Sequence, residues 1–145
     1  MSLLIAFGSQ TGNAQNLAHL IATHLEDRVD VRVIDMGESD PEILKEENSL
    51  LVVTSTYGDG EAPDNASEWL SFLKFQDELD LSHLRFGVIA LGDSYYPHFC
   101  QCGKDFDFHL TRHGAKSLLS RLDCDRYYEE VYQDWLNDFM KGLET

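Results

Sequence analysis

The sequence predicts a doubly wound α/β fold, in which a five-stranded parallel sheet of order 2-1-3-4-5 carries helices on both faces. Two observations carry this prediction. Strand-like and helix-like segments alternate along the chain, and three of the strand-like runs are almost continuously apolar. Such runs are typical of parallel strands that helices cover on both sides. The length of 145 residues fits a single domain over residues 1–145.

Five apolar runs predict the strands of this sheet. They cover residues 3–7, 29–34, 50–54, 86–91 and, more weakly, 116–122. Because alternating strands and helices imply right-handed crossovers, we expect all five strands to run parallel. The predicted order places ligands at the carboxyl ends of the strands, near the switch between the first and third strands.

Four segments with apolar residues at helical spacing predict helices. They cover residues 13–25, 66–75, 100–113 and 128–143. Asn65 followed by Glu68 is typical of a capped helix start, and Pro41 after Asp40 favours a short additional helix. The side chains expected to face the core from the last three helices are Trp69, Phe106, Leu110, Val131, Tyr132, Trp135, Leu136 and Phe139.

The charge is strongly acidic, with 26 acidic against 11 basic residues and a formal net charge of −15. Nucleic acid and anionic membranes are poor partners for such a surface. A basic protein partner is favoured, although acidity that serves only solubility is the alternative. No apolar stretch approaches the roughly 18 residues of a membrane span, and the N-terminus lacks the features of a signal peptide. We therefore expect a cytoplasmic protein.

The cysteines and histidines indicate neither a disulfide framework nor a metal site. Cys100, Cys102 and Cys124 are too few and too irregularly spaced for either a set of disulfides or a zinc knuckle. His109 and His113 lie four residues apart on a predicted helix, a spacing that a metal can bridge. Because no carboxylate or thiol completes a ligand set there, we expect a solvent-facing helix surface instead.

The first loop, residues 9–13, follows the first apolar run and opens the first predicted helix. It carries hydroxyls, amides and a glycine but neither Lys nor Arg. A strand, a hydroxyl-rich turn and a helix N-terminus together form an anion site built from backbone N–H groups and hydroxyls. The pattern therefore predicts a phosphate held by neutral donors. A Ser/Thr-capped first turn that binds nothing is the alternative.

Two further loops, residues 55–61 and residues 92–99, follow the third and fourth predicted strands and lie at the same edge. Tyr57 in the second loop and Tyr95 or Tyr96 in the third are placed to enclose a flat aromatic ring. The neighbouring glycines let backbone approach such a ring closely. Together with the phosphate loop, the three loops predict a mononucleotide site.

The sequence resembles the flavodoxin family over essentially its full length. The motifs that carry this resemblance lie at residues 8–14, 54–66, 91–100 and 103–107. It is also similar to the FMN domains of diflavin reductases such as sulfite reductase flavoprotein, and to the small MioC- and YqcA-type bacterial flavodoxins. The resemblance implies a stand-alone short-chain flavodoxin, because about ten residues separate Gly114 from Asp125 and leave no room for the roughly twenty-residue insertion of long-chain members.

The resemblance implies FMN as cofactor and assigns its binding residues. The phosphate would lie on Ser9, Gln10, Thr11, Gly12, Asn13 and Ala14. The ring would lie between Tyr57 and Tyr96. The second loop would contribute Ser55, Thr56, Tyr57 and Gly58, and the third would contribute Leu91, Gly92, Asp93, Ser94, Tyr95, Tyr96, Pro97, His98, Phe99 and Cys100. Asp125 falls near an acidic residue that lies beside the flavin in the reductases.

The resemblance further implies a low-potential one-electron carrier between a reductase and acceptor enzymes. The carboxylates in and beside the loops include Asp59, Glu61, Asp64 and Asp93, and no Lys or Arg in the loops offsets them. We expect these charges to disfavour extra electrons on the ring and to steer basic-faced redox proteins toward a monomeric carrier. We further expect the flexible Gly58 to turn a backbone carbonyl toward the ring. An FMN-dependent reductase of a quinone or other small molecule is the alternative.

Overall fold

The computed structural model describes residues 2–8, 12–56, 62–93, 100–125 and 128–145. These residues form one sheet with helices on both faces. Its strands are β1 (Ser2–Gly8), β2 (Asp30–Asp35), β3 (Ser49–Ser55), β4 (Arg85–Leu91), β5 (Lys116–Ser117) and β6 (Leu122–Cys124). The helices are α1 (Asn13–Leu25), α2 (Asp64–Phe75), α3 (Gln101–Arg112) and α4 (Tyr128–Glu144). Short 3₁₀ helices cover Met36–Glu38 and Pro41–Lys45.

The sheet has the order β2-β1-β3-β4-β5, and β6 also pairs with β4. Every pairing is parallel. The predicted fold class and strand order are therefore confirmed, with a sixth short strand added. The α1 helix has the predicted bounds. Gly12 directly before it marks its start, and the regular spacing of its apolar residues marks its buried side.

Alternate residues of the central strands separate two apolar layers. Leu3, Ile5 and Phe7 of β1 pack with α1 and α4, whereas Leu4 and Ala6 pack with α2 and α3. This alternation follows from the period of two along a strand. Because both faces are covered, β1, β3 and β4 are apolar almost throughout, as the sequence indicates.

The predicted fifth strand over residues 116–122 is wrong as a single element. The chain pairs with β4 at Lys116–Ser117, leaves the ladder, and pairs again at Leu122–Cys124. Two side chains take the intervening carbonyl groups: Ser117 Oγ donates to Leu119 O at 2.9 Å, and Trp135 Nε1 donates to Ser120 O at 2.7 Å. These bonds replace ladder bonds and allow the bend.

Two expectations about helices need correction. The α2 helix begins at Asp64 with Pro63 at its N-cap, so Asn65 does not cap it. The amide of Asn65 instead donates to Asp35 Oδ1 at 3.1 Å. On α4, Val131 is 49% exposed rather than buried, because it lies at the border of the apolar stripe.

The tryptophans and histidines differ from one another in burial. Trp69 is fully buried, as predicted, whereas Trp135 is only half-buried and stacks on Phe139. The prediction of a solvent-facing surface is wrong for His113, which is buried and donates from Nε2 to Leu73 O at 2.5 Å. His109 is half-buried, with its ring edge-on to Phe108. The described residues contain no group of three potential metal ligands. No helix in the described part of the chain is long and apolar enough to cross a bilayer.

Candidate functional site

The candidate site lies at the carboxyl edge of the sheet, where β1, β3 and β4 end. Gly8 of β1 pairs with Thr54 of β3, and Ser55 of β3 pairs with Leu91 of β4, so the three strand ends lie side by side. The loops that follow lead into α1, α2 and α3. Because β1 and β3 send their connections to opposite faces of the sheet, a crevice opens between them.

The first loop reaches α1 through Gly12, which adopts a left-handed conformation with φ of 90°. A Cβ atom placed on Gly12 would meet no atom of the described residues within 4 Å, so none of them packs against the start of α1 at this position. No acidic side chain lies in the first turn of α1. Asn13 is exposed and Ala14 is fully buried. Ser9, Gln10 and Thr11 lie outside the described residues.

The second loop begins with two half-buried residues, Ser55 and Thr56. The Thr56 backbone N–H donates to Leu91 O at 3.1 Å, and its hydroxyl oxygen accepts from the Cys102 N–H at 2.9 Å. The base of this loop is therefore bonded to β4 and to α3. The remaining predicted binding residues of this loop, Tyr57 and Gly58, lie outside the described residues, as do Asp59, Gly60 and Glu61.

The third loop leaves β4 at Leu91 and enters α3 after Cys100. The Leu91 side chain is buried in the core, and Gly92 N donates to Cys124 O at 2.9 Å. Asp93 is half-buried and has a partner. The other predicted binding residues of this loop, Ser94, Tyr95, Tyr96, Pro97, His98 and Phe99, lie outside the described residues. Asp125 follows β6 at the same edge, where it is half-buried and also has a partner.

Cys100 closes the third loop in a buried, left-handed conformation with φ of 58°. Its thiol donates to Ala90 O at 3.3 Å. Burial, followed by the nearby Asp123 charge, raises the pKa of this thiol to about 12. Burial likewise raises the pKa of Cys102 to about 12 and that of Cys124 to about 11. All three cysteines are unpaired, so these thiols are packing groups rather than nucleophiles.

Thr54 is a contributor to the site that sequence reasoning missed. It is fully buried at the end of β3, and its hydroxyl lies 3.2 Å from Gly8 O and 3.1 Å from the Cys102 sulfur. It therefore joins the ends of β1 and β3 to α3. The signal in the sequence was a hydroxyl residue directly after the apolar run 50–53 of a buried strand.

A second missed contributor is Asp35, the last residue of β2, which contacts the start of α2. Its carboxylate accepts from Gly37 N at 2.8 Å and from the Asn65 amide at 3.1 Å. The start of α2 also packs closely against the end of β1, since a Cβ atom on Gly8 would lie 2.6 Å from the Cβ atom of Ala66. Asp35 and Gly8 thus fix the start of α2, and with it the end of the second loop.

Negative charge dominates the described part of this edge. Asp64 and Glu68 are exposed on the first turns of α2, and Asp93 lies at the base of the third loop. A basic residue, Lys104, is exposed near the start of α3, on the same face of the sheet as α2. A glycine start of α1, with neither acidic side chains in its first turn nor basic ones in its loop, fits a phosphate bound by neutral backbone donors.

The family model and the most similar proteins that we compared with this chain agree on one family. The family model described as Flavodoxin matches residues 5–135. The sulfite reductase (NADPH) flavoprotein alpha-component of Bacillus subtilis is 46% identical over 140 residues, which cover 96% of this chain and 23% of that protein. The corresponding protein of Vibrio parahaemolyticus is 44% identical over 134 residues, which cover 92% of this chain and 22% of that protein. The chain thus spans about a quarter of the length of the curated relatives it matches.

Solved structures with this architecture match over nearly the whole chain. A flavodoxin from Streptococcus pneumoniae TIGR4 has a TM-score of 0.83 and 31% identity, covering 99% of this chain and 98% of its own. A cysteine mutant of the flavodoxin from Pseudomonas aeruginosa has a TM-score of 0.88 and 28% identity, with 100% of both chains covered.

Proposed function

Because this chain belongs to the flavodoxin family and is an FMN-binding electron carrier, we propose that it transfers single electrons at low potential between a reductase and acceptor proteins. The observation that carries the proposal is the convergence of three strand ends and two helix starts on one crevice. Flavodoxin is itself a standard example of ligand binding at this switch point of the doubly wound sheet.

The residues around the crevice have separate roles in holding FMN. In this proposal, the start of α1 and residues 9–14 bind the phosphate through neutral donors. Tyr57 and Tyr96 cover the two faces of the ring, and Asp125 lies near it. When bound, FMN supplies the ability to accept and release electrons one at a time. The protein contributes orientation, exclusion of water and the surrounding charge.

The low potential follows from the carboxylates at this edge. Negative charges near the ring oppose further negative charge, and their effect is greatest where water is excluded. Reductive titration of the FMN-loaded protein with dithionite is expected to give two resolved one-electron steps, the second below that of free FMN. A colourless protein that takes up no FMN, or two electrons that enter together at the free-FMN potential, would contradict the proposal.

The acidic edge is proposed to dock basic-faced redox proteins: a flavodoxin or ferredoxin reductase as donor, and acceptor enzymes. Asp64 and Glu68 lie four residues apart, exposed, beside the second loop. Neutralising both (Asp64→Asn with Glu68→Gln) is expected to slow electron transfer to cytochrome c, a basic redox protein, several-fold at low salt. The difference should vanish at high ionic strength.

A matched control exists on α4, where Asp134 and Asp138 are also exposed four residues apart. The double variant Asp134→Asn with Asp138→Asn changes the net charge equally but away from the second loop. It should leave the stopped-flow rate close to that of the unmodified protein. Equal slowing by both double variants would show that only net charge matters, and would remove the docking surface from the proposal.

The proposed carrier has no substrate of its own and acts as a monomer. A reductase of small molecules would need open space over the ring, which the two tyrosines are expected to cover. Steady oxidation of NADPH with a quinone such as menadione, with no reductase added, would instead support the enzymatic alternative. Light scattering is expected to give the mass of a monomer, since the net charge of −15 opposes self-association.

A further inference from the structure

We infer that Thr56 is a positioning residue that holds both ends of the third loop and so sets the geometry of the site from the base of the second loop. The inference rests on the proposed FMN site. It assigns to the Thr56 hydroxyl a function other than contact with the cofactor. The hydroxyl supplies the capping hydrogen bond that the N-cap residue of α3 does not make.

Two hydrogen bonds carry the inference. The Thr56 N–H donates to the carbonyl oxygen of Leu91 at 3.1 Å, directly before the third loop. The Thr56 hydroxyl oxygen accepts from the Cys102 N–H at 2.9 Å, two residues after Cys100 closes that loop. One residue therefore links the residues that flank the loop on both sides. Any shift of the end of β3 would be passed on to both ends of the third loop.

The start of α3 needs such a partner. Cys100 occupies the N-cap in a left-handed conformation, and its side chain makes no capping bond to the helix. A non-glycine residue in that conformation is strained, so surrounding contacts must stabilise it. An N-cap side chain normally accepts from the second or third N–H of the helix. Thr56 supplies that acceptor from another strand, to the second residue of α3.

Thr54, the penultimate residue of β3, provides a contrast to Thr56, which directly follows that strand. It lies two residues earlier, so its side chain is on the same face of the sheet. Its hydroxyl also approaches Cys102, but at the sulfur, 3.1 Å away, rather than at the backbone N–H. Its second close contact is with Gly8 O. Removing the Thr54 hydroxyl therefore disturbs the same packing layer but leaves the acceptor of the Cys102 N–H in place.

The test compares Thr56→Val, Thr56→Ser and Thr54→Val. Valine keeps the shape of threonine but loses the acceptor, and serine retains it. In Thr56→Val we expect amide exchange at Cys102, followed by NMR, to become about tenfold faster. The closed state loses one hydrogen bond, so the free energy of local opening falls by roughly the contribution of that bond. The dissociation constant of FMN should rise about tenfold, and the visible circular dichroism of the bound flavin should change.

Thr56→Ser should restore all three readouts, and Thr54→Val should lower the melting temperature but change Cys102 exchange and the flavin readouts less than Thr56→Val does. The inference is overturned if Thr56→Val leaves Cys102 exchange and FMN affinity within about twofold of the unmodified protein. It is also overturned if Thr54→Val changes the flavin readouts equally. If Thr56→Val does not fold, Thr56→Ala is judged by the same criteria.

Failure of the proposed function is distinguishable from failure of this inference, because the Cys102 exchange experiment also runs without FMN. Faster exchange in a protein that takes up no FMN would overturn the function and support the hold of Thr56 on α3. Unchanged exchange in a protein that binds FMN normally would overturn the inference and support the function.

Discussion

The starts of α1 and α3 lie at the same edge of the sheet but are built in opposite ways. Both helices follow a left-handed residue, Gly12 with φ of 90° and Cys100 with φ of 58°. Gly12 has no side chain to cap α1, and the Cys100 side chain makes no capping bond to α3. No described residue packs against Gly12, whereas Cys100 is fully buried. A Cβ atom on Gly103, in the first turn of α3, would lie 2.3 Å from the Cβ atom of Ala90.

The difference shows how one edge combines access with rigidity. The α1 start begins at a glycine that no described residue packs against, which fits the approach of an anion. At the α3 start, the Cys100 thiol is buried, Gly103 packs closely against β4, and the Thr56 hydroxyl accepts a hydrogen bond from the helix. This start is therefore held rigidly in place. Backbone conformation alone does not distinguish the two starts, because both are left-handed; packing around the N-cap does.

The largest expected effect concerns the buried thiols at the α3 start. The pKa values of Cys100 and Cys102 are about 12, against 9.0 for an ordinary cysteine thiol. At pH 8 their thiolate fraction should therefore be roughly a thousandfold smaller than that of an ordinary thiol. Iodoacetamide labelling of the native protein, followed by intact mass, is therefore expected to be slower by a similar factor than labelling in guanidinium. Rapid labelling of the native state would show that the α3 start is as open as that of α1.

The same pKa shifts predict a pH dependence of stability. The unfolded chain loses its thiol protons near pH 9, whereas the folded chain retains them until about pH 11 to 12. The free energy of unfolding should therefore fall as the pH rises from 9 toward 12. Replacing the three cysteines by alanine should weaken this slope, and an unchanged slope would assign it to other groups.

The second effect tests the contact between α3 and β4. Gly103→Ala places a methyl group against Ala90 and is expected to reduce the free energy of unfolding by about 1–3 kcal/mol, measured by urea denaturation. Gly142→Ala in α4 is the matched control, since its nearest neighbour would be Leu118 at 3.4 Å. Its effect should be neutral or stabilising by up to about 1 kcal/mol. Equal losses in both variants would refute the tight contact at Gly103.

Local sequence signals predicted the parts of the fold that depend on local structure. The α1 bounds and the central strands follow from apolar spacing and from the glycine before α1. The segment 116–122 was predicted as one strand because its bend depends on Trp135, which donates to Ser120 from thirteen residues beyond the segment. The burial of His113 likewise depends on the Leu73 carbonyl of α2, which no pattern around residue 113 reveals.

The site shows the same limit. Loop order and strand topology place the three loops at one edge, and the resemblance supplies the cofactor. The bond from Cys102 N to the Thr56 hydroxyl joins residues 46 positions apart. Its existence depends on where α3 lies over β3, so composition and spacing predicted Thr56 as a lining residue and missed its link to α3.

The smallest expected effect separates backbone conformation from packing at the α1 start. Gly12→Ala meets no steric obstacle among the described residues, so its expected cost is that of holding a non-glycine residue at φ of 90°, about 1 kcal/mol in urea denaturation. Gly12→Asn should recover part of this loss, because asparagine tolerates the left-handed region better than alanine. A loss as large as that of Gly103→Ala, with no recovery by asparagine, would mean that the α1 start is packed like that of α3. Equal stability of Gly12→Ala and the unmodified protein would mean that the left-handed turn relaxes freely, and the contrast would then depend on the α3 side alone.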